Sequence, residues 1–316
     1  MDKRFKVFLY APIHRQGTEL LKEKCDLVYA QSTEEKDLIG QVSDVDAIIF
    51  RGSGSVTKAI IESASKLKVI GKHGVGVNAI DLETAKKRGI KVVNTPTSNF
   101  ASVAEHFVVL ALMLAKKVKP MMKALEGGRW REGTRMIGTD LHGKILGIMG
   151  FGRVGQRIGT ICHKGFDMKV FYYDITQFPE VEKELKAKRI DKETLFSISD
   201  FISINLPLLP ETRHLINVDL LKLMKPTSFL INLARGPVWK EEDVVRFLQE
   251  KKIAGVGSDV YEVEPAVPDH PLFKMENFVG TPHSAAHTDE SQAKSSMVAS
   301  DVLAILEGRG PQFPVV

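Results

Sequence analysis

The chain has 316 residues, enough for one large domain or two ordinary ones, and its 43% hydrophobic content can fill real cores. The formal charge of +5 is a thin excess of 44 basic over 39 acidic residues, with no aromatic-rich basic stripe, so a nucleic-acid partner is not expected. The apolar run at 107–115 is too short to cross a membrane, so no membrane partner is expected, and Cys25 and Cys162, far apart and without metal-ligand spacing, read as free thiols of a cytoplasmic protein.

The start reads as a strand at 6–10 rather than a signal peptide, because its apolar run is short and soon interrupted. Further β-rich runs follow at 26–29, 47–50, 68–70 and 91–93, with helical patterns at 57–65 and 81–88. Strands alternating with helices predict an α/β unit whose parallel sheet is covered on both faces. Residues 98–119 read as one long helix, apolar on most of its surface and so buried on several sides, either joining two domains or forming a subunit interface. Ser102 is placed to cap its first turns with Glu105 as capping-box partner, and Pro120 is expected to limit it.

Residues 144–174 carry the strongest signal. An apolar run at 145–149 feeds Gly150-Phe-Gly152-Arg-Val-Gly155, a helical segment, and a second β-rich run at 169–173 that ends in Asp174. Strand, glycine turn, helix, strand and terminal acid together make a dinucleotide fingerprint. Gly150 permits the turn, Gly152 the approach of a pyrophosphate, and Gly155 close packing of helix on strand. The helix start offers N–H groups and a positive dipole end to the phosphates. Asp174 lies about twenty residues further on, where an acid accepts from a ribose diol and repels a 2′-phosphate, so NAD is expected over NADP. The fingerprint is oddly placed, in the middle of the chain.

Beyond it the rhythm resumes, with strands at 200–205, 229–233, 254–259 and 278–280 and a last amphipathic helix at 291–307. In an open α/β sheet ligands sit at the C-terminal ends of strands. Three such ends present, in order, Arg235, Glu264 and His283. Reduction of a carbonyl by a nicotinamide needs a proton donor, and His is the usual choice. A carboxylate beside it keeps it oriented, and an Arg fork holds a substrate carboxylate. Taken singly, Arg235 also fits a surface ion pair, Glu264 a solvated turn and His283 a helix cap. His287 follows His283 at i+4, but no third ligand accompanies the pair, so a metal site is not expected.

The chain resembles the D-isomer-specific 2-hydroxyacid dehydrogenase family, which includes D-3-phosphoglycerate dehydrogenases. The resemblance rests on GVGVNAIDL (74–82), VVNTPTSNFASVAEH (92–106), GIMGFGRVGQ (147–156), LPLLPETRHLIN (206–217), INLARGP (231–237), DVYEVEP (259–265), HPLF (270–273) and TPHSAAHT (281–288), in the family's order. It implies that His283 is the acid/base, Glu264 its partner, and Arg235 the holder of the substrate carboxylate, helped by the loop Gly74, Val75, Gly76 and Val77. Cofactor contacts carry over to Gly150, Gly152, Arg153, Val154, Gly155, Asp174, Leu206, Pro207, Thr212, Leu233, Ala234, Arg235 and Asp259, with Asp259 on the nicotinamide carboxamide. It also implies two doubly wound parallel-sheet domains. A Rossmann NAD domain at 100–287 is inserted into a flavodoxin-like substrate-binding domain at 1–99 and 288–316, which accounts for the mid-chain fingerprint. Hinge closure over the substrate, a homodimer built on 102–118 and 121–138, and no appended regulatory domain are further expectations.

The likeness thins at 51–57, where Arg51 is kept but Gly52 stands in place of Ser in the phosphoglycerate-oxidising pattern. Arg51 is therefore a candidate for a distal phosphate, sulfonate or second carboxylate, or else an ordinary strand-end Arg. His73, just before the carboxylate loop, fits either a substrate-facing role or a packed loop residue. Trp239 replaces a smaller residue, with no evident effect. The expected activity is reversible hydride transfer between NAD and a 2-hydroxy or 2-oxo acid, with acids bearing a second anionic group, 3-phosphoglycerate-like, among the candidates. A glyoxylate/hydroxypyruvate reductase is the alternative, and an NAD-sensing corepressor-like protein the reading from another class. Glu264 stands where formate dehydrogenases carry Gln, which argues against that branch.

Overall fold

The computed structural model describes residues 4–52 and 54–316. They form two compact units, one running up to Asn99 and resuming over Ala286–Val316, the other Phe100–Ala285.

The first unit is a five-stranded sheet of β1 (Phe5–Leu9), β2 (Cys25–Tyr29), β3 (Ala47–Phe50), β4 (Val69–Lys72) and β5 (Lys91–Val93). All pairs are parallel and the order is β2-β1-β3-β4-β5, the flavodoxin-like arrangement. Successive side chains of a strand face opposite ways, so each strand feeds two cores. Phe8, Ile48, Ile70 and Val92 join one with Leu38, Ile60 and Ile61. Val7, Leu9, Ile49 and Val69 join the other with Leu21, Val298 and Val302. A strand buried on both faces has to be a continuous apolar run, which is why Ala47–Phe50 is legible as AIIF.

The second unit holds seven parallel strands: β6 (Ile145–Met149), β7 (Lys169–Tyr173), β8 (Lys188–Arg189), β9 (Phe201–Ile204), β10 (Phe229–Asn232), β11 (Gly255–Ser258) and β12 (Phe278–Gly280). Their order is β12-β11-β10-β9-β6-β7-β8, so the winding reverses between β6 and β9. That reversal opens a crevice at the carboxyl ends of the strands, the place where such sheets take dinucleotides. Trp239 lies in this unit's core with no exposed surface, and among the described residues its indole N–H meets no acceptor. The doubly wound α/β class expected from the alternation holds for both sheets.

Two helices differ from expectation. The segment 98–119 is not one helix ended by Pro120. A helix Phe100–Ala115 stops before Lys117, whose φ of 54° is left-handed, and a new helix Val118–Glu126 begins. Pro120 sits in that helix's first turn, where its missing N–H costs nothing. Ser102 lies inside the first helix rather than at its cap. The expected last helix is likewise two, Asp289–Ser296 and Val298–Leu306, because Met297 turns at ψ −4°. Ser296 just before the break gives its hydroxyl to tertiary hydrogen bonds with the His14 N–H and the His73 ring.

Candidate active site

The glycine loop joins β6 to the helix Arg153–Phe166. Gly150 has φ 91°, and a Cβ there would stand 2.9 Å from the Asn205 carbonyl. At Gly155 a Cβ would strike the Gly150 carbonyl oxygen, so helix and loop touch only because residue 155 is glycine. Gly152 differs: a Cβ there would meet nothing within 4 Å. Its face is open, and no side chain caps the helix that starts beside it, so the first N–H groups, including those of Arg153 and Val154, are left for an anion. Phe151 anchors the loop from beneath, stacked on Tyr172 at 4.1 Å. Open face, uncapped helix and rigid floor fit a dinucleotide diphosphate.

Asp174 follows β7 and closes the loop from the side. Its carboxylate accepts the Phe151 N–H at 2.7 Å and the Thr176 N–H at 2.9 Å. Arg189 of β8 donates to the Asp174 carbonyl at 2.9 Å. The linear sequence gave no hint of this cation, which arrives from a neighbouring strand instead of following Asp174 directly. Leu206 and Pro207 come after β9, and the Thr212 hydroxyl is used inside their loop, donating to the Pro207 carbonyl at 2.6 Å.

The register Asn232↔Ser258 and Ser258↔Gly280 sets the ends of β10, β11 and β12 side by side. Leu233 and Ala234 leave β10 buried, and Arg235 after them is half-buried, with one guanidinium nitrogen on the Ala234 carbonyl at 2.6 Å. Burial lowers the Arg235 pKa, and the Glu264 charge opposes that. Past β12, His283 turns its Nδ1 to Glu264 Oε2 at 2.7 Å, and Glu264 Oε1 accepts the Tyr261 N–H at 3.0 Å. Burial pushes the Glu264 carboxyl up. The hydrogen bonds from His283 and the Tyr261 N–H, with the charges of His283 and Arg235, outweigh it and hold the group below its ordinary value. With Nδ1 on the carboxylate, Nε2 is the ring nitrogen left to exchange a proton. Arg235, Glu264 and His283 are thus brought together, as the three strand ends suggested.

Asp259 is almost wholly buried and its carboxylate is already engaged by Thr281, Ser284 and Ala285. A carboxylate offers about four acceptor positions, so one remains beyond these three. Behind this loop the sequence reading missed a further histidine, His106, whose Nε2 lies 2.8 Å from the Thr281 hydroxyl. The pairing joins positions far apart in sequence and follows no motif spacing.

The first unit holds the other candidates. The Gly74 N–H donates to the Thr95 hydroxyl at 3.1 Å, its carbonyl accepts from the Thr95 N–H, and the Val75 carbonyl accepts from Asn94. Among the described residues the Val75 and Gly76 N–H groups donate to no protein acceptor. Arg51 donates to the Pro12 carbonyl and pairs with no carboxylate among the described residues; Ser53 of its loop lies outside them. His73 is a packed residue, buried with its ring on the Ser296 hydroxyl at 3.0 Å.

The NAD-binding-domain model of the D-isomer-specific 2-hydroxyacid dehydrogenases matches residues 108–285. A D-3-phosphoglycerate dehydrogenase of Methanocaldococcus jannaschii is 36% identical over 96% of this chain, which spans 58% of that relative's length. A glyoxylate reductase of Thermococcus litoralis is 37% identical over 97% of this chain and 95% of its own. The crystal structure of an Aquifex aeolicus D-lactate dehydrogenase complexed with NAD and lactic acid superposes with a TM-score of 0.85, at 28% identity, over 96% of each chain. Fold, fingerprint and these matches agree: the chain belongs to the D-isomer-specific 2-hydroxyacid dehydrogenase family and carries its NAD-binding domain.

Proposed function

We propose that this protein interconverts a D-2-hydroxy acid and its 2-oxo acid with NAD. The observation that carries the reading is the His283–Glu264 pair at 2.7 Å with Arg235 beside it at the same sheet edge. NAD, when bound, supplies the hydride acceptor in one direction and the donor in the other. His283 Nε2 takes the hydroxyl proton during oxidation and returns it to the carbonyl oxygen during reduction. Glu264 fixes the ring through Nδ1, so that Nε2 faces the substrate oxygen. The Arg235 fork holds the carboxylate next to the reacting carbon. Asp174 selects the ribose diol, and Asp259 has an acceptor position to spare for the carboxamide.

The substrate class we propose is a 2-hydroxy acid with a second anionic group, contacted by Arg51, with the free N–H groups of Val75 and Gly76 as carboxylate donors. The absence of a carboxylate partner for Arg51 among the described residues supports it. A glyoxylate or hydroxypyruvate reductase is the alternative, favoured by glyoxylate reductases matched over 95% and 93% of their own length. We also propose a homodimer. A cytoplasmic location agrees with two buried free cysteines and is checked by cell fractionation.

Initial rates with NADH on 3-phosphohydroxypyruvate, sulfopyruvate, hydroxypyruvate, glyoxylate and pyruvate test the function. His283→Asn is expected to lower kcat by roughly a hundredfold or more while NADH still binds. Unchanged turnover in that variant sinks the acid/base assignment. A preference for the doubly anionic acids that disappears in Arg51→Gln supports the second-anion reading; a preference for glyoxylate indifferent to Arg51 replaces it with the alternative.

A further inference from the structure

His283 stands in a backbone conformation that L-residues rarely adopt, with φ at 52°. Such a residue persists only where its surroundings over-determine it. Here three consecutive N–H groups end on one residue. The His283 N–H donates to the Asp259 carbonyl at 2.7 Å, the Ser284 N–H to Asp259 Oδ1 at 2.8 Å, and the Ala285 N–H to Asp259 Oδ2 at 2.9 Å. Asp259 is 2% exposed and no Lys or Arg pairs with it among the described residues, so its position depends on hydrogen bonds.

The fourth of those bonds leads away from the loop. Thr281 Oγ1 donates to Asp259 Oδ1 at 2.5 Å, and His106 Nε2 lies 2.8 Å from the same hydroxyl. A carboxylate only accepts and a hydroxyl has one proton, so Thr281 gives its proton to Asp259 and accepts one from His106 Nε2–H. The chain is therefore directional: His106 to Thr281 to Asp259. Burial lowers the His106 pKa, against the pull of Asp259, which keeps the ring a neutral single donor. Its place is set by packing. The helix Phe100–Ala115 can lie close on β11 because Gly255 and Gly257 carry no side chain. Cβ atoms there would come within 3.1 Å of Leu114 and 3.3 Å of Leu110. His106 is one turn before Leu110 and so reaches the strand's C-terminal edge.

We infer that His106 and Thr281 are positioning residues for the catalytic imidazole. Through Asp259 they hold the turn that keeps His283 left-handed with its Nδ1 on Glu264. They touch neither the proton nor the hydride. The inference rests on His283 being the acid/base. It goes beyond that reading by tracing the ring's geometry back to the helix Phe100–Ala115.

The test is steady-state reduction of glyoxylate and hydroxypyruvate with NADH, alongside NADH affinity by fluorescence titration and melting temperature. Thr281→Val keeps shape and loses the hydroxyl. It is expected to lower kcat about ten- to a hundredfold, the scale of a small misplacement of a reacting group, with KM and NADH affinity within about threefold. Thr281→Ser, which restores the hydroxyl, should recover most of kcat. His106→Phe should resemble Thr281→Val, and His106→Gln, which keeps a donor, should lie between. A folded Thr281→Val with wild-type kcat overturns the inference, as does a kcat loss matched by equal loss of NADH affinity, or a Thr281→Ser as slow as Thr281→Val. His283→Asn is run in parallel. If it alone is inactive, the inference fails and the acid/base reading stands; if it turns over normally, the reading itself has failed.

Discussion

A buried imidazole ties the stability of the first unit to pH. Burial, with the charges of Arg51 and Lys72, pushes His73 from its ordinary 6.5 down to about 3, against hydrogen bonds to the backbone of His73 and Gln292. Above pH 6.5 neither folded nor unfolded His73 holds the proton, and the full stability is present. Below it the unfolded chain takes up a proton that the folded chain refuses, so stability is lost as pH falls towards about 3. The slope approaches about 1.4 kcal/mol per pH unit, so His73 alone should remove about 2 kcal/mol between pH 7 and pH 5. Glu264 acts in a lower window. Its depressed pKa gives stability that is present above its ordinary 4.5 and lost as pH falls through the folded value. Urea unfolding of the protein and of His73→Gln at both pH values separates the two: the variant should lose clearly less on acidification. Equal losses would mean that His73 is not held neutral.

Elements buried on both faces were legible because their chemistry leaves few alternatives. Phe201–Ile204, Phe229–Asn232 and Ala47–Phe50 are short apolar or β-branched runs bounded by turn residues, and they emerge as parallel strands. The fingerprint was legible for a related reason, since Gly150 and Gly155 answer steric demands that only glycine meets, while Gly152 leaves its face open. What escaped has no local signal. Lys117 breaks a helix in a left-handed conformation without being Gly or Asn, and β8 is a two-residue exposed strand. His106 and Arg189 reach the site across packed elements, which spacing alone does not encode. One turn shows how tightly the strand ends depend on one another. A Cβ on Gly236 would overlap the Tyr261 carbonyl, so the turn after β10 touches the loop after β11 backbone to backbone. Gly236→Ala must move Arg235 relative to Glu264. We expect kcat/KM for the 2-oxo acid to fall by roughly a hundredfold while the far-UV spectrum and NADH binding persist. Near-normal kcat/KM would show that this contact does not set the site.

At the scale of the whole molecule, the described cores stay within their own units. The clusters of the first unit draw on residues up to Val93 and from Val298 onward, and the large cluster of the second on residues between Met149 and Phe278. Neither core accounts for the apolar side chains on the outside of the second unit. Leu125 is 59% exposed, Trp130 68% and Ile137 83%, with Val109 and Met122 also open, all on or just after the helices between Phe100 and Gly133. Single exposed apolar residues are ordinary, but a cluster this dense in one short stretch supports the proposed homodimer. Tryptophan with aliphatic neighbours is also the composition of an interface centre. The proposed homodimer uses this surface. Leu125→Glu with Trp130→Glu tests it, because neither side chain supports the chain's own core. Substitution at such surface positions should change the isolated chain's stability by no more than about 0.5 kcal/mol each, while burying two unpaired carboxylates in an apolar contact is costly. Sedimentation velocity at micromolar concentration should give a dimer for the wild-type protein and a folded monomer for the double variant. A wild-type protein that sediments at the mass of one chain, or a double variant that still dimerises, would remove this face from consideration.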